Sequence, residues 1–577
     1  MKESVVFDQI MEMVGNDGKF QIRFNFLFNF SICMFVSMAF MNIMLVLNEP
    51  DHWCHVPGRE NTNYSIEEWR DRVLPLEEDN KGILAFSRCK MYNISASQLL
   101  EWDSKQQNLS TEHEISCVNG YEYDKTWYEE TVVSKENWIC DRTLYVTNAL
   151  SFNRFGEVVG TFIFGQMGDR LGRRPVFFAG IAITILGRIA CLLTSGIYWL
   201  FALSSTFGML TALTLFQSPM VIAMEICKGE RRAHIAMLQC WGWTMGMILM
   251  PIIFWFVRDW TPFLIVTTLP LLVGYLFPKY MIESPRWLAN KGMYKRCAQQ
   301  LQKIADVNGA KVEITEKLVK EMFKEHEVET VFGMASLFTN WRLAKNTSLM
   351  VISWVVLIMV YYTLVLNASK MDGNPFLNFA WQSAIELPAY YVGQILGDRL
   401  GRRFTQTFSF FLGALTCIPI LFIVKNPEHA FWTSVLAVIV KFNISITFFA
   451  INLQAMEIFP TCLRQTGFAI MTVVANTMGL LGPYIVYLGT NFDVRYPYLI
   501  MGLMCLAGSI SAMFLPETLG QRLPETMAEA KEFGRGQPFW GIPKAHVEDD
   551  DSEMSEKVTE KAENGEIEKL NQAKFAP

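Results

Sequence analysis

Apolar residues gather along this chain into runs of about twenty, divided by shorter polar stretches, and no period-2 alternation competes with them. A helix rises 1.5 Å per residue, so about twenty residues cross the roughly 30 Å hydrocarbon layer of a bilayer. Twelve runs lie near 24–47, 144–167, 175–195, 198–224, 235–257, 262–282, 346–367, 375–397, 405–424, 432–456, 466–488 and 496–515. The pattern predicts an all-α polytopic membrane protein with twelve transmembrane helices. The first run follows a polar amphipathic segment at 1–23 and lacks a small-residue cleavage site, so it reads as a retained span and not a secretory leader. The long polar stretches are a loop at 48–143, a helix-prone linker at 283–345 and a tail at 516–577. The linker divides the runs six and six, giving an N-terminal half at 24–282 and a C-terminal half at 346–515.

Composition agrees with the pattern: 51% of residues are hydrophobic and 18% charged, against about 25% charged in soluble domains. Charge in the short loops sets the orientation. The loops after the second, fourth, eighth and tenth runs carry Arg170, Arg173, Arg174, Lys228, Arg231, Arg232, Arg399, Arg402, Arg403 and Arg464. The opposite short loops carry Arg258, Lys370, Lys425 and Arg495. Ten against four places the first set, and with it both termini, in the cytoplasm by the positive-inside rule.

Residues 48–143 then lie outside the cell, and two further signals agree. The stretch holds N-glycosylation acceptor triplets at Asn63, Asn93 and Asn108. It also holds Cys54, Cys89, Cys117 and Cys140, an even number that in an oxidising compartment predicts two disulfides in one of three pairings. Its ten Lys and Arg against nineteen Asp and Glu give a net of −9. Such a surface either concentrates cations near an entrance or simply keeps an ectodomain solvated. The tail from about 525 is rich in Glu, Lys and Asp and reads as largely disordered.

The chain repeats itself. GDRLGRR stands at 168–174 and again at 397–403, each time after the second run of its half. MEI stands at 224–226 and 456–458, followed by Arg231 and Arg464, and Glu283 and Glu517 close the sixth and twelfth runs. Three matched pairs in fixed order make the halves duplicates of one six-span unit, a design that encloses a cavity near the bilayer midplane and opens it to alternate sides. In the repeated loops Asp169 and Asp398 can face a helix N-terminus across the seam between halves. Arg170, Arg173, Arg174, Arg399 and Arg402 can pair with Glu225, Glu283, Glu457 and Glu517, and Gly168, Gly172, Gly397 and Gly401 permit a tight turn. The set is expected to latch one conformation and release in the other; positive-inside anchoring alone is the simpler alternative.

Through both GDRLGRR loops and ESPRWL at 283–288 the chain resembles the major facilitator superfamily. The long cysteine-bearing loop, ENWICD, MEICKGERR, FVRDW, SAIELPAY, MEIFPTCLRQTG, GPYIVYLG and FLPETLG resemble, more narrowly, solute carrier family 22, the organic cation, anion and carnitine transporters. YLG, PYLIMG and FLPETLGQRLPET are similar to its carnitine and zwitterion branch, where carriers of small amines and amino acids also fall. The resemblance covers nearly all of 20–525. It implies a plasma-membrane carrier that moves a small amine or zwitterion by alternating access, as facilitated diffusion or coupled to Na+ or H+.

Ionisable residues within a span cost roughly 2.5–3.5 kcal/mol each on insertion scales, which makes them functional candidates. Glu386 matches a glutamate that the family places near its central cavity, where it can meet a cationic amine directly or pair with Lys441. Arg154 and Glu157, three apart on one helical face, are expected to neutralise each other. At the eleventh-span position where cation carriers of the family have Asp and anion or carnitine carriers have Arg, this chain has Asn476, an amide that hydrogen-bonds either charge and compensates neither. Tyr361, Tyr362, Trp241 and Trp243 offer cation–π surface. Gln217, Gln239, Asn452 and Gln454 are further polar candidates in or near spans. Other readings within reach are an organic anion carrier of the same fold and a non-transporting receptor or scaffold. No P-loop, nucleophile elbow or metal-ligand spacing among the seven histidines points to an enzyme or a resident metal, and a net charge of −6 does not suit nucleic acid.

Overall fold

In a computed structural model the chain is described over residues 11–537, apart from 16–17, 60–62, 94–113, 228–230, 325–333, 372, 461–462, 522–523, 525–526 and 536. Asn108, most of the acidic tail, and the side chains of Asp169 and Arg464 lie outside the described residues. Twelve helical segments follow the twelve predicted runs. The N-terminal half has α1 (Lys19–Val46), α2 (Leu144–Leu171), α3 (Arg173–Thr194), α4 (Tyr198–Glu225), α5 (Arg232–Val257) and α6 (Trp260–Leu276). The C-terminal half has α7 (Trp341–Ala368), α8 (Pro375–Ala384 and Glu386–Leu400), α9 (Arg402–Ile423), α10 (Ala430–Ile458), α11 (Arg464–Gly479 and Gly482–Asn491) and α12 (Tyr496–Met513). Among the described residues nine helices are long and apolar enough to cross a membrane. The remaining three are α2, which carries Arg154 and Glu157 within it, the short α6, and α8, which carries Glu386, Asp398 and Arg399.

The divisions in α8 and α11 follow from proline. Pro388 and Pro483 lack the N–H that would bond the carbonyl four residues back, and the helices break at Ile385 and at Leu480–Leu481. Ser151 on α2 donates to the Leu480 carbonyl at 3.1 Å, so a backbone group beside the second break is taken by the opposite half.

The duplication is exact in backbone conformation at the repeated loops. Gly172 and Gly401 have φ of +102° and +94° with ψ of 158° and 161°, a region essentially reserved for glycine. Gly168 and Gly397, also expected to serve the turn, lie inside α2 and α8 with open space around them. Directly after each turn Glu283 accepts from the Arg173 and Arg174 amides at 2.8 and 3.1 Å, and Glu517 accepts from the Arg402 and Arg403 amides at 2.8 and 3.1 Å. These carboxylates therefore cap the N-termini of α3 and α9.

The long loop after α1, the expected ectodomain, holds strands β1 (His52–Cys54), β2 (Leu76–Glu78), β3 (Leu84–Phe86), β4 (Lys90–Tyr92), β5 (Glu114–Ser116) and β6 (Tyr121–Tyr123). They form three antiparallel ribbons, β1 with β6, β2 with β3 and β4 with β5, over a core of Cys54, Val56, Trp69, Val73, Leu74 and Met91. Of the three pairings left open, the structure has Cys54–Cys117 and Cys89–Cys140. Asn63 and Asn93 are exposed on this domain.

Linker helices Pro285–Asn290, Tyr294–Asn308 and Glu316–Lys324 belong with the N-terminal half. Asn308 donates to the carbonyls of Val14 and Gly15, and the segment before α1 supplies Met11 and Val14, with Phe20 from the start of α1, to the same core. The folded chain also runs past α12, where helix Met527–Glu532 buries Ala530 and Gln537 exchanges two hydrogen bonds with the Glu517 backbone.

The buried cores show how the halves meet. Two cores each belong to a single half, one drawn from residues 11–319 on the side bearing the repeated loops and one from 337–530 that runs from Leu463 on that side to Tyr498 on the other. On the ectodomain side a single core joins both halves, with Tyr128, Phe254 and Phe376 in mutual contact at centroid distances of 5.2–5.6 Å. Tyr484 donates to Asn148 at 2.8 Å and Lys370 pairs with Glu49 at 3.5 Å across the same seam. The ectodomain straddles it. Its base is held by Arg258 and Trp260 of the N-terminal half, while Asn80, at the tip of the β2–β3 ribbon, donates to the Gly489 and Thr490 carbonyls of α11 at 3.1 and 3.2 Å. The two halves therefore share a core on the ectodomain side and not on the loop side.

Candidate functional site

Two buried ion pairs stand where the halves face each other, one from each half. In the C-terminal half the break in α8 places Glu386 at the start of its second segment, with a fully buried side chain. Lys441, on α10, approaches Glu386 Oε1 at 2.9 Å, and its ammonium also lies 3.2 Å from the Tyr361 ring centroid on α7. The other carboxylate oxygen accepts from Thr244 on α5 at 3.0 Å and from Tyr390, one turn further along α8, at 3.2 Å. Since α5 belongs to the opposite half, the Thr244 bond crosses the seam. In this conformation Glu386 is paired with Lys441. The Tyr361 hydroxyl neighbours Glu386 and the Trp243 indole.

In the N-terminal half Arg154 and Glu157 on α2 pair directly, and both are buried. The Arg154 guanidinium lies 3.1 Å from the centroid of Tyr362, on the opposite half, and 5.6 Å from that of Phe40 on α1. Gly160 lets α2 come this close to α4, because a Cβ there would stand 1.7 Å from the Leu210 carbonyl oxygen. Each ion pair therefore touches the other half, through Thr244 in one case and Tyr362 in the other.

The remaining candidates divide. Trp243 packs between Phe40 and Phe216 at 5.4 and 5.3 Å and lines the same region. Gln239 donates to the Phe216 carbonyl at 2.6 Å and leaves its own Oε1 buried without a partner. Asn476 is buried on α11, and no hydrogen bond joins it to either ion pair. Asn452 is turned away, its amide donating at 2.7 Å to Phe448 one turn back on its own helix. Gln454 is a brace, joining Gln406 on α9 to the Pro516 carbonyl beyond α12. Trp241 is 39% exposed and takes no part.

The sequence reading missed three groups. Thr244 had no signal of its own. Tyr390 stands four residues after Glu386, the spacing that stacks side chains on one helical face. Arg188, in LGRIACLL on α3, is a fully buried cation that the rule used for Glu386 and Arg154 would have found. It donates to the Ala39 and Phe40 carbonyls of α1, to Ser205 and to Met209 at 3.1–3.5 Å.

The acidic groups of the repeated loops meet expectation in one pair, Arg402 with Glu457, and differ from it elsewhere. Each contact observed among them stays within its own half. Glu225 accepts from Ser284 and Glu457 from Thr518, Arg402 pairs with Glu457 at 3.2 Å and with Asp398 at 3.5 Å, and Glu283 and Glu517 cap backbone amides. Asp398 thus serves its own loop and not a helix across the seam. Arg170 and Arg399 are exposed, as is Arg231. The pairs seen among these described groups are thus local to each half.

A family model described as sugar (and other) transporter matches residues 112–529. The Drosophila melanogaster carcinine transporter is 28% identical over 553 residues, covering 93% of this chain and 81% of that protein. The Caenorhabditis elegans organic cation transporter 1 is 29% identical, covering 92% and 89%, and the human organic cation/carnitine transporter 2 is 26% identical, covering 90% and 93%. Among solved structures, the proton:xylose symporter XylE of the major facilitator superfamily, bound to 6-bromo-6-deoxy-D-glucose, superposes with a TM-score of 0.53 at 18% identity, covering 69% of this chain and 92% of that one. The chain belongs to the sugar (and other) transporter family of the major facilitator superfamily, and the relatives it resembles over nine-tenths of its length are transporters of the organic cation and carnitine type.

Proposed function

We propose that this chain is a plasma-membrane carrier that moves small organic cations or zwitterions by alternating access, and that Glu386 receives the substrate's amine. The observation that carries the reading is the buried carboxylate between the halves, with Thr244 and Tyr390 on one oxygen and a lysine ammonium on the other. Lys441 occupies the place of a substrate ammonium, resting on an aromatic face as organic cations do. A substrate amine that takes the carboxylate from Lys441 also contacts Tyr361, and through Thr244 its presence is felt by the opposite half. That gives binding a differential grip on the two conformations, without which a ligand shifts no equilibrium. With the ectodomain outside, the core shared by the halves lies on the extracellular side in the conformation described.

The names of the relatives support the substrate class, since they include carriers of carcinine, organic cations, carnitine and β-alanine. The acidic ectodomain adds a field that draws cations. Uptake of radiolabelled carnitine, β-alanine, carcinine and tetraethylammonium by cells expressing the chain tests the proposal. Uptake above background that falls on Glu386→Gln supports it; background uptake of all four, or uptake of organic anions alone, overturns it. Replacing external sodium with choline, and separately changing external pH, distinguishes Na+ coupling, H+ coupling and facilitated diffusion.

A further inference from the structure

We infer that the α2–α3 face is a second pole of the binding region, a carboxylate-binding subsite in which Arg154 makes the contact and Arg188 supplies the field, so that the preferred substrates carry a carboxylate as well as an amine. This rests on the amine reading above and adds the other end of the molecule.

Charge comes first. Around the two pairs the buried groups are Arg154, Arg188 and Lys441 against Glu157 and Glu386, a surplus of one positive charge. Arg188 is in no ion pair among the described residues. Its hydrogens are engaged by carbonyls of α1, by Ser205 and by Met209, but none of those acceptors carries a compensating charge. A cation held at this depth without a counter-ion raises the affinity of the region for an anion.

Geometry supplies the place. Glu157 engages a terminal nitrogen of Arg154, while the Nε–H edge of the same guanidinium is buried with no acceptor. An orphaned buried donor costs about 1–3 kcal/mol, and a guanidinium edge suits a carboxylate. The two arginines are linked. Arg188 donates to Ser205 at 3.3 Å, and Ser205 donates at 2.5 Å to Asn153, the residue before Arg154, whose own amide nitrogen is a second buried donor without a partner. Tyr362 closes the cluster from the other half, 3.1 Å over Arg154 and within electrostatic reach of Glu157 and Arg188. An amine without a carboxylate meets the surplus positive charge uncompensated. An anion without an amine leaves Glu386 tied to Lys441. A zwitterion answers both poles and bridges α2 of one half to α8 of the other.

The test compares ω-amino acids of two to four carbons with the n-alkylamines that differ only in lacking the carboxylate. Uptake is measured at equal surface expression for wild type, Arg154→Gln with Glu157→Gln, Arg188→Gln and Arg188→Lys. The paired substitution keeps α2 neutral and is expected to lower the amino-acid over amine ratio of kcat/KM roughly tenfold or more, mostly through KM. Arg188→Gln lowers the same ratio, and Arg188→Lys restores it. An unchanged ratio in the paired variant, parallel loss of both substrate series, or a ratio that Arg188→Lys fails to restore overturns the inference while the amine reading stands. Wild-type failure to take up either series overturns the amine reading itself.

Discussion

Removing Lys441 while keeping Glu386 perturbs the site most informatively. Lys441→Met preserves much of the side chain's length and apolar stem and deletes its charge, leaving a carboxylate with no solvent exposure and with neutral hydroxyls, Thr244 and Tyr390, as donors. An exposed pair would cost 0–1 kcal/mol to break, whereas stranding one member of a buried pair costs about 3–5 kcal/mol. The converse, Glu386→Gln, strands the ammonium against Tyr361, where a cation–π contact returns about 2 kcal/mol at best. The double variant strands neither charge. Its loss is therefore expected to be smaller than the sum of the single losses by about 3 kcal/mol or more, the signature of direct coupling in a double-mutant cycle. Thermal unfolding of the four purified proteins in one detergent gives the comparison. Lys441→Met has a second expected property: a cationic substrate stabilises it more than it stabilises wild type, because no internal ammonium competes. Additive single losses, or a Lys441→Met protein as stable as wild type, would refute the claim that this pair is a tight internal substitute for a bound amine.

Other outcomes follow from the same geometry. Gly401→Ala puts a Cβ 2.4 Å from a Glu517 oxygen in a backbone region closed to L-residues, so a loss of about 1–3 kcal/mol is expected in thermal unfolding, with Gly397→Ala, which meets open space, near wild type. Peptide mapping under non-reducing conditions is expected to recover Cys54–Cys117 and Cys89–Cys140 and no mixed pairing. Burial lowers the pKa of His52 in β1 below its ordinary value. Its neutral form is thus the one that fits, so ectodomain stability is complete at neutral pH and declines as pH falls below about 6.5. Hydrogen exchange of β1 and β6 at pH 7.5 and 5.5 reads this, and in His52→Gln the difference attributable to this site disappears.

Much of this architecture was legible in the sequence because membrane spans advertise themselves. A run of twenty apolar residues has few alternatives in lipid, and GDRLGRR with its matched glutamates announced the duplication that Gly172 and Gly401 display in nearly identical dihedrals. The ion pairs were legible for the same reason, since Glu386, Lys441, Arg154 and Glu157 are costly where they stand. Spacing does not show which partner a carboxylate takes once helices assemble. Glu283 and Glu517 were expected to meet arginine side chains and instead cap backbone amides, since a helix N-terminus offers two aligned donors at a fixed place. Asn452 looked equally polar on paper but satisfies itself on its own helix. Thr244 was invisible because threonines are unremarkable in spans and only packing brings one to Glu386.

The central claim is that two six-helix halves rock about a shared polar layer, and paired distances test it most directly. Spin labels at the exposed positions Leu171 and Leu400 report the loop side, and labels at Leu144 and Phe492 report the ectodomain side. In nanodiscs, with and without a transported amine, the account predicts two populations in which the loop-side distance shortens as the ectodomain-side distance lengthens. Distances that move together, or stay fixed on both sides in a protein that transports, would contradict it.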